Sequence, residues 1–451
     1  MYRLRRNPFG WASAAMVLLS PWNAARMAHA QEAATVSSPI SLSEAIHRAE
    51  QNEPVFANAV AAQKSASINR YLAKAALMPS VIYHNQVLYT EPNGHANQAG
   101  QIGSQEAPVF IANNAVREYA SQASINETIG LKQFADERVA SANAVRADAE
   151  AEIARRGLVA AVVSLYYSVA ASETRDRLFQ LALREAQEFT DLTEKREAAR
   201  EVAHADVVKA ELQQQQRQRD MSDAALAAER ARLELAVLLF PDPRTPFTTE
   251  TSATAQRLPT RDEVDRLAST NNPELRSALA DLKASDAEVT SAKAAYLPDV
   301  AMNFTYGIDA PQFAKNGPDG VRNLGYSVSG TLDIPVWDWF STQKRVKQSE
   351  IRRDVARVTL TAAQRRLIAS LDESYAEASA AREQLDLLDQ SVRTAAESLR
   401  LTKLRYSAGE STALEVVDAE NSYLSAGTAQ ADGVVRYQSA LAALQILTGS
   451  L

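Results

Sequence analysis

The chain contains no cysteine and few aromatic residues, and only 5 of its 451 residues are histidine. Without cysteine it can form no disulfide, thiolate metal site or cysteine nucleophile, and a lipid-carrying N-terminal Cys is excluded as well. The histidines are scattered along the sequence, and none has a partner at the spacing of metal ligands. We therefore expect neither a bound metal nor a cofactor.

Sequence motifs of enzymes are lacking too. There is no P-loop, no dinucleotide-binding fingerprint and no Gly-x-Ser-x-Gly nucleophile turn. The 55 acidic residues are spread over charged segments and single out no acid–base pair. A net charge of -7 gives no support for nucleic-acid binding. We therefore expect a protein that is not an enzyme and has no nucleic-acid partner.

The segment before Gln31 has the pattern of a secretory signal. Basic residues near the start are followed by an apolar run over Trp11–Leu19 and by Ala28-His29-Ala30, a small-residue cleavage site. After this site no uncharged apolar run approaches the ~18–20 residues that a membrane-spanning helix needs. If the mature chain lies in a membrane, we expect it to do so as a β-barrel.

The remainder of the chain is an internal duplication with a composition typical of long helices. One set of matches has a constant offset in residue number (298 − 79 = 219) and pairs Glu44, Pro54, Ala75 and Pro79 with Glu263, Pro273, Ala294 and Pro298. A second set has a smaller offset (367 − 158 = 209) and pairs Leu158, Tyr166, Thr193 and Arg196 with Leu367, Tyr375, Thr402 and Arg405. The first half therefore carries extra residues, which we place in the loop 91–116.

Each half is predicted to contain a helix, two strands around a loop, a very long helix, a turn and a last helix. In the first half these are Leu42–Leu77, Ser80–Thr90, Tyr119–Leu131, Lys132–Glu197 and Ala203–Leu239. In the second they are Thr260–Ala295, Asp299–Ile308, Leu324–Ile334, Ser341–Tyr406 and Thr412–Thr448. The predicted division is a signal at 1–30, a first repeat at 31–240, a linker at 241–257 and a second repeat at 258–451.

The predicted strands alternate between apolar and polar residues. The apolar positions are Val81, Tyr83, Val87, Tyr89, Val300, Met302, Phe304, Tyr306, Ile308, Tyr326, Val328, Leu332 and Ile334. Each strand is about ten residues long, as in a membrane barrel with an apolar outer face and a polar lumen. A soluble sheet with one wet face is the alternative. Because four strands cannot close a barrel, a membrane barrel would require two copies with eight strands or three with twelve.

The segment Leu404–Ala426 reads as a helical hairpin with its turn at Gly409. On its second helix Ser411, Glu415, Asp418, Ser422 and Ser425 recur at spacings of three and four, which forms one polar stripe. Such a stripe is commonly a solvated face. The motif Tyr-x-x-Gly, followed by Leu-Glu-Val-x-Asp-Ala-Glu and Tyr-Leu, resembles the hairpin of the TolC-like outer-membrane efflux channels.

The resemblance covers nearly the whole mature chain and implies a mainly α fold with a membrane β-barrel. Three copies would share a twelve-stranded barrel continued by a periplasmic tunnel of long helical hairpins. It further implies an acidic periplasmic constriction from Glu415, Asp418 and Asp206. The resemblance also implies that Tyr406, Gly409 and Arg200 lie at the tip of the tunnel that docks a periplasmic adaptor. Arg200 stands where the second half has Gly409, and Trp339-Phe340 stands where the family usually has small residues.

These features predict an outer-membrane channel subunit, a passive exit duct of a tripartite efflux or type I secretion system. Its expected partners are two further copies of itself, a periplasmic adaptor protein, an inner-membrane transporter and outer-membrane lipid. A soluble periplasmic coiled-coil adaptor or scaffold is the alternative, although such a protein needs no lipid-facing strands. The sequence leaves the cargo open between a drug, a metal ion and a protein.

Overall fold

The computed structural model describes residues 39–89, 117–250, 257–317 and 320–449. The predicted signal, the inserted loop at 91–116 and part of the predicted linker lie outside these residues. The first half contains α1 (Leu42–Asn52), α2 (Pro54–Ala75), β1 (Ser80–Tyr89), β2 (Arg117–Ile129), α3 (Leu131–Ala198) and α4 (His204–Leu239). The second contains α5 (Arg261–Asn271), α6 (Pro273–Ala294), β3 (Asp299–Ala310), β4 (Leu324–Asp333), α7 (Ser341–Ser407) and α8 (Ala413–Thr448).

The bounds of the helices repeat at the two offsets found in the sequence. Both ends of α1 and α5, and both ends of α2 and α6, differ by the larger offset (261 − 42 = 219 and 273 − 54 = 219). Both ends of α4 and α8 differ by the smaller one (413 − 204 = 209). The two halves therefore consist of the same elements in the same order. The division of the chain into domains remains a prediction.

The first helix of each half is broken, and the expectation of one continuous helix there is wrong. Between α1 and α2, Glu53 is extended (φ -79°, ψ 116°), and between α5 and α6, Asn272 is too (φ -70°, ψ 119°). Each of these residues precedes a proline, Pro54 or Pro273. The proline ring disfavours helical geometry at the residue before it, and the proline then begins the next helix, where its missing N–H costs nothing.

The long helices pack side by side over most of their length. Helix α3 packs against α4, α6 and α8, and α7 packs against α6 and α8. At 67 residues, α7 spans about 100 Å. Small residues let the axes approach: a Cβ added to Gly433 on α8 would lie 2.5 Å from Leu388 on α7. The buried side chains form several separate clusters along the helices, which suits an elongated molecule rather than a globular one.

One stretch of α3 is long and apolar enough, by length and composition, to cross a membrane. The expectation that no run approaches that length therefore needs correction. However, 39% of this stretch is buried inside the chain. Leu158 and Val162 pack with α1 and α4, and Val159 packs with Ala442 of α8. These neighbours account for part of its apolar composition, namely the side chains that face the protein interior.

The strands form one antiparallel sheet in the order β1-β2-β3-β4. Its register aligns Val81 with Ile125, Ile125 with Phe304, and Phe304 with Val328. The remaining apolar positions of the predicted strands share this face because side chains alternate along a strand. The other face is polar apart from Ile82 and Leu88 of β1, and Ser124 and Thr305 are hydrogen-bonded across it at 3.3 Å. The predicted alternation is confirmed. Within the described chain, β1 and β4 each have a neighbour on one side only.

Candidate functional site at the helical hairpin ends

The helices α3 and α4 are joined at one turn and α7 and α8 at another, and both turns use a left-handed residue. Gly409 has φ 78° and Arg200 has φ 63°. The predicted turn at Gly409 is confirmed, since α7 ends at Ser407 and α8 begins at Ala413. A Cβ on Gly409 would meet nothing within 4 Å, so only the backbone conformation favours glycine there. Arg200 adopts the same conformation as a non-glycine residue, at a cost of about 1–2 kcal/mol.

The start of α8 gives Glu415 a structural role that the sequence analysis missed. Thr412 and Glu415 form a capping box: Oγ1 of Thr412 accepts the Glu415 N–H at 3.3 Å, and Oε1 of Glu415 accepts the Thr412 N–H at 3.2 Å. The other oxygen, Oε2, lies 3.5 Å from Nη1 of Arg405. The Thr-x-x-Glu spacing is a sequence signal for such a cap and could have been recognised. Arg405 also partly neutralises this carboxylate.

The rest of the polar stripe is open to solvent within the chain. Asp418, Ser422 and Ser425 are exposed, and none of them is part of the core. In the first half, Asp206 occupies the position equivalent to Glu415, and its carboxylate lies 3.9 Å from the ammonium of Lys209. The exposure of the stripe therefore agrees with both interpretations of the sequence, a solvated face and the lining of a channel lumen.

A cleft with a volume of 580 Å³ lies between the two hairpin ends. It brings together three of the predicted site residues, namely Asp206 from the first hairpin and Tyr406 and Gly409 from the second. Glu415, Asp418 and Arg200 are not part of its lining. The structure thus combines one predicted constriction residue with two predicted docking residues in a single cleft.

Arg196 links the two hairpins at this cleft. From α3 its guanidinium donates to the backbone oxygens of Tyr406 and Ser407 at the end of α7, each at 2.9 Å. It also lies 4.9 Å from the centre of the Tyr406 ring, a cation–π contact. The hydroxyl of Tyr406 lies 3.3 Å from Oγ1 of Thr193. The duplication singled out Thr193 and Arg196, but it gave no sign that they reach across to the other hairpin.

Farther along α8, Glu420 lies in a group of buried charges that sequence reasoning also missed. Its carboxylate is 3.8 Å from the guanidinium of Arg217 on α4, and both side chains are buried. Burial raises the pKa of Glu420, while Arg217 and Lys403 act in the opposite direction. Arg217 also binds Asp220 at 2.9 Å. Because Glu420 is buried although Asp418 is not, the two acids face different surroundings on one helix.

The second half of the chain is similar to a known family of proteins. Residues 266–450 match the family model described as Outer membrane efflux protein. Over 412 residues the chain is 25% identical to the pyoverdine export outer membrane protein OpmQ of Pseudomonas putida, covering 86% of this chain and 82% of OpmQ. It is 28% identical over 173 residues to the outer membrane protein OprJ of Pseudomonas aeruginosa, a match that covers 38% of this chain and only 35% of OprJ.

The fold is that of solved outer-membrane channels. The CmeC outer membrane channel of Campylobacter jejuni superimposes with a TM-score of 0.75 over 90% of this chain and 85% of CmeC, at 14% sequence identity. The outer-membrane channel OprN superimposes with a TM-score of 0.74 over 90% of this chain and 89% of OprN, at 21% identity. At such low identities the likeness concerns the fold alone.

Proposed function

We propose that this chain, a TolC-like outer-membrane protein of the outer membrane efflux protein family, is one subunit of a trimeric exit duct. Members of the family are channels and not enzymes, and we extend this to the present chain. The observation that carries the proposal is the sheet, which has one apolar and one polar face, two open edges, and helices of about 100 Å attached to one end. A soluble adaptor would have no use for the apolar face.

The duplication indicates how copies would join. Within the chain, the first half contacts the second through β2–β3, α3–α6 and α3–α8. If the second half used its equivalent surfaces toward the next copy, β4 would pair with β1, and α7 would pack against α2 and α4 of that copy. Helix α2 has no buried residue, and its exposed apolar side chains include Ile68 and Leu72. Helix α7 exposes Ile351, Val355 and Val358 at helical spacing.

Repeating this contact would remove both open edges of the sheet, as a structure in lipid requires. Three copies would give twelve strands, an even number known for outer-membrane barrels. The hairpin ends, about 100 Å from the sheet, would then face the inner membrane, where we place the docking of a periplasmic adaptor and an inner-membrane transporter. The duct is passive, and the pyoverdine export named for OpmQ supports a small-molecule cargo for this chain.

The absence of cysteine permits a direct test by cross-linking. Within the chain, Arg146 of α3 contacts Asp281 of α6 at 2.9 Å. The repeat offsets make Val355 (146 + 209) and Ala62 (281 − 219) the equivalent pair between copies. We expect Ala62→Cys/Val355→Cys, treated with a bifunctional thiol cross-linker that spans the reach of an Arg–Asp pair, to form cross-linked dimers and trimers in the outer-membrane fraction. Each single variant, and the pair Ala62→Cys/Arg393→Cys, with the second cysteine ~57 Å farther along α7, should not. A protein that washes off without detergent and stays monomeric would contradict the proposal.

A further inference from the structure

The loop between β4 and α7 presents a group of exposed aromatic rings. Trp337 lies 5.8 Å from Trp339 and 5.2 Å from Phe340, measured between ring centres in edge-on contacts. These side chains are 62%, 83% and 57% exposed. Tryptophan is highly buried on average in folded proteins, and exposed clusters of large apolar side chains mark interaction surfaces. The cluster therefore requires a partner outside the chain.

The backbone holds these rings outward in a strained conformation. Trp339 and Phe340 are consecutive left-handed residues, with φ 56° and 63°. Side chains disfavour this conformation, and it persists only where surrounding contacts impose it. Here Oδ2 of Asp338 accepts the N–H of Thr342 at 2.7 Å, and the Asp338 backbone oxygen accepts the N–H of Ser341 at 3.1 Å. The loop is thus fixed to the first turn of α7.

Positive charge lies beside the rings. The start of α7, from Ser341 to Lys347, includes Lys344, Arg345 and Lys347 and no acidic residue. Lys347 has an acidic partner, Glu350, at 3.7 Å. Among the described residues no ion pair is formed by Lys344 or Arg345, and both are exposed. Along the helix axis they lie about 6 and 7.5 Å from Phe340.

The position of the loop defines its surroundings. It follows Asp333, the last residue of β4, at the end of the sheet from which the helices leave. A tilted strand of ten residues crosses an apolar band of about 25 Å, so the loop lies at the periplasmic boundary of that band. Aromatic side chains, Trp above all, concentrate at membrane–water interfaces because one end of the ring system is apolar and the other polar. The headgroup layer beyond is about 5–8 Å thick, which includes the level of Lys344 and Arg345.

We propose that this loop, together with Lys344 and Arg345, is a binding site for anionic phospholipid in the periplasmic leaflet of the outer membrane. The proposal rests on the proposed membrane location of the sheet. The three rings lie at the boundary between acyl chains and headgroups, and the two cations bind the headgroup phosphate. The site anchors each subunit at a fixed height in the membrane. It does not depend on the exported cargo or on the partners at the hairpin ends.

Intrinsic fluorescence can test the contact with lipid. The chain has four tryptophans, and Trp11 and Trp22 precede the predicted mature start at Gln31. Protein isolated from outer membranes, with its start verified by mass, should therefore report on Trp337 and Trp339 alone. In phosphatidylglycerol/phosphatidylcholine vesicles we expect stronger quenching by lipids brominated near the headgroup than by lipids brominated near the bilayer centre. Quenching by aqueous iodide instead, or by neither agent because a second copy covers the rings, would overturn the proposal.

The charge requirement needs a second comparison. At equal content, brominated phosphatidylglycerol should quench the wild type more than brominated phosphatidylcholine, with about fivefold enrichment for each basic side chain that contributes. Lys344→Gln/Arg345→Gln should lose this preference. Arg365→Gln/Arg366→Gln, which removes the same charge about 30 Å farther along α7, should keep it. Equal quenching by both lipids in the wild type, or loss of preference in the control as well, would refute recognition of the headgroup.

Discussion

The contact of Arg196 with the end of α7 gives a sharp prediction about channel closure. Replacing Arg196 with Gln removes a guanidinium that donates to Tyr406 and Ser407 at 2.9 Å and covers the Tyr406 ring. A hydrogen bond from a charged donor contributes about 1.5–3 kcal/mol when shielded, and the cation–π contact adds about 0.5–1 kcal/mol. The Arg196 side chain is 19% exposed, and water can solvate the freed carbonyls. We therefore discount the sum to about 2–3 kcal/mol.

A loss of that size would change the ratio of separated to joined hairpin ends by roughly 30- to 150-fold in each subunit. In planar bilayers without adaptor, Arg196→Gln should therefore open more often, or to a higher conductance, than the wild type. Tyr406→Phe, which loses only the 3.3 Å contact with Thr193, should have a small effect, under about 1 kcal/mol. The assay needs correctly assembled protein, so gel migration in detergent should first match the wild type.

Arg200→Gln serves as the matched control, because it removes the same charge from the same end of the molecule. Arg200 is exposed, unlike Arg196. If Arg200→Gln opens the channel as much as Arg196→Gln, the effect is one of general charge and not of the contact. If Arg196→Gln conducts like the wild type, Arg196 does not hold the hairpin ends together.

Three further predictions concern the sheet, the constriction and the buried acid. Phe304→Arg, on the apolar face, should cost about 2–4 kcal/mol of folding free energy near the bilayer centre, whereas Thr305→Arg should be mild; equal losses of outer-membrane protein would contradict the assigned faces. Replacing Glu415 and Asp418 together with Ala should weaken cation selectivity and block by trivalent cations in bilayer recordings. Loss of the helix cap at Glu415 should lower the folding free energy by about 1 kcal/mol. Unchanged selectivity would show that both residues lie on a solvated face and not at a constriction. Because burial raises the pKa of Glu420, the native state binds its proton more readily than the unfolded state, and stability should fall as pH rises from 4.5 toward the raised value. In Glu420→Gln, the thermal unfolding temperature should depend less on pH in this range. The same pH dependence as in the wild type would exclude Glu420 as its source.

Several features of this protein follow from local sequence rules. The long helices and the alternating strands were predictable because side-chain periodicity reports which face of an element is apolar. The two offsets of the duplication recur in the helix bounds, and Gly409 has the left-handed conformation that its place in the turn requires. The break before Pro54 also obeys a local rule, the restriction of the residue preceding proline, although the predicted helix ran through it.

Other features depended on which elements meet, and only the tertiary structure decided them. Arg196 lies 210 residues from Tyr406 in the sequence, so no local pattern indicates that its guanidinium closes the end of another helix. Asp418 and Glu420 belong to one acidic motif, yet only Glu420 is buried, beside Arg217. Helical periodicity separates the faces of α8, but it does not say which face meets α4. That assignment comes from packing between distant segments, because burial of a charge depends on its neighbours and not on its place in the sequence.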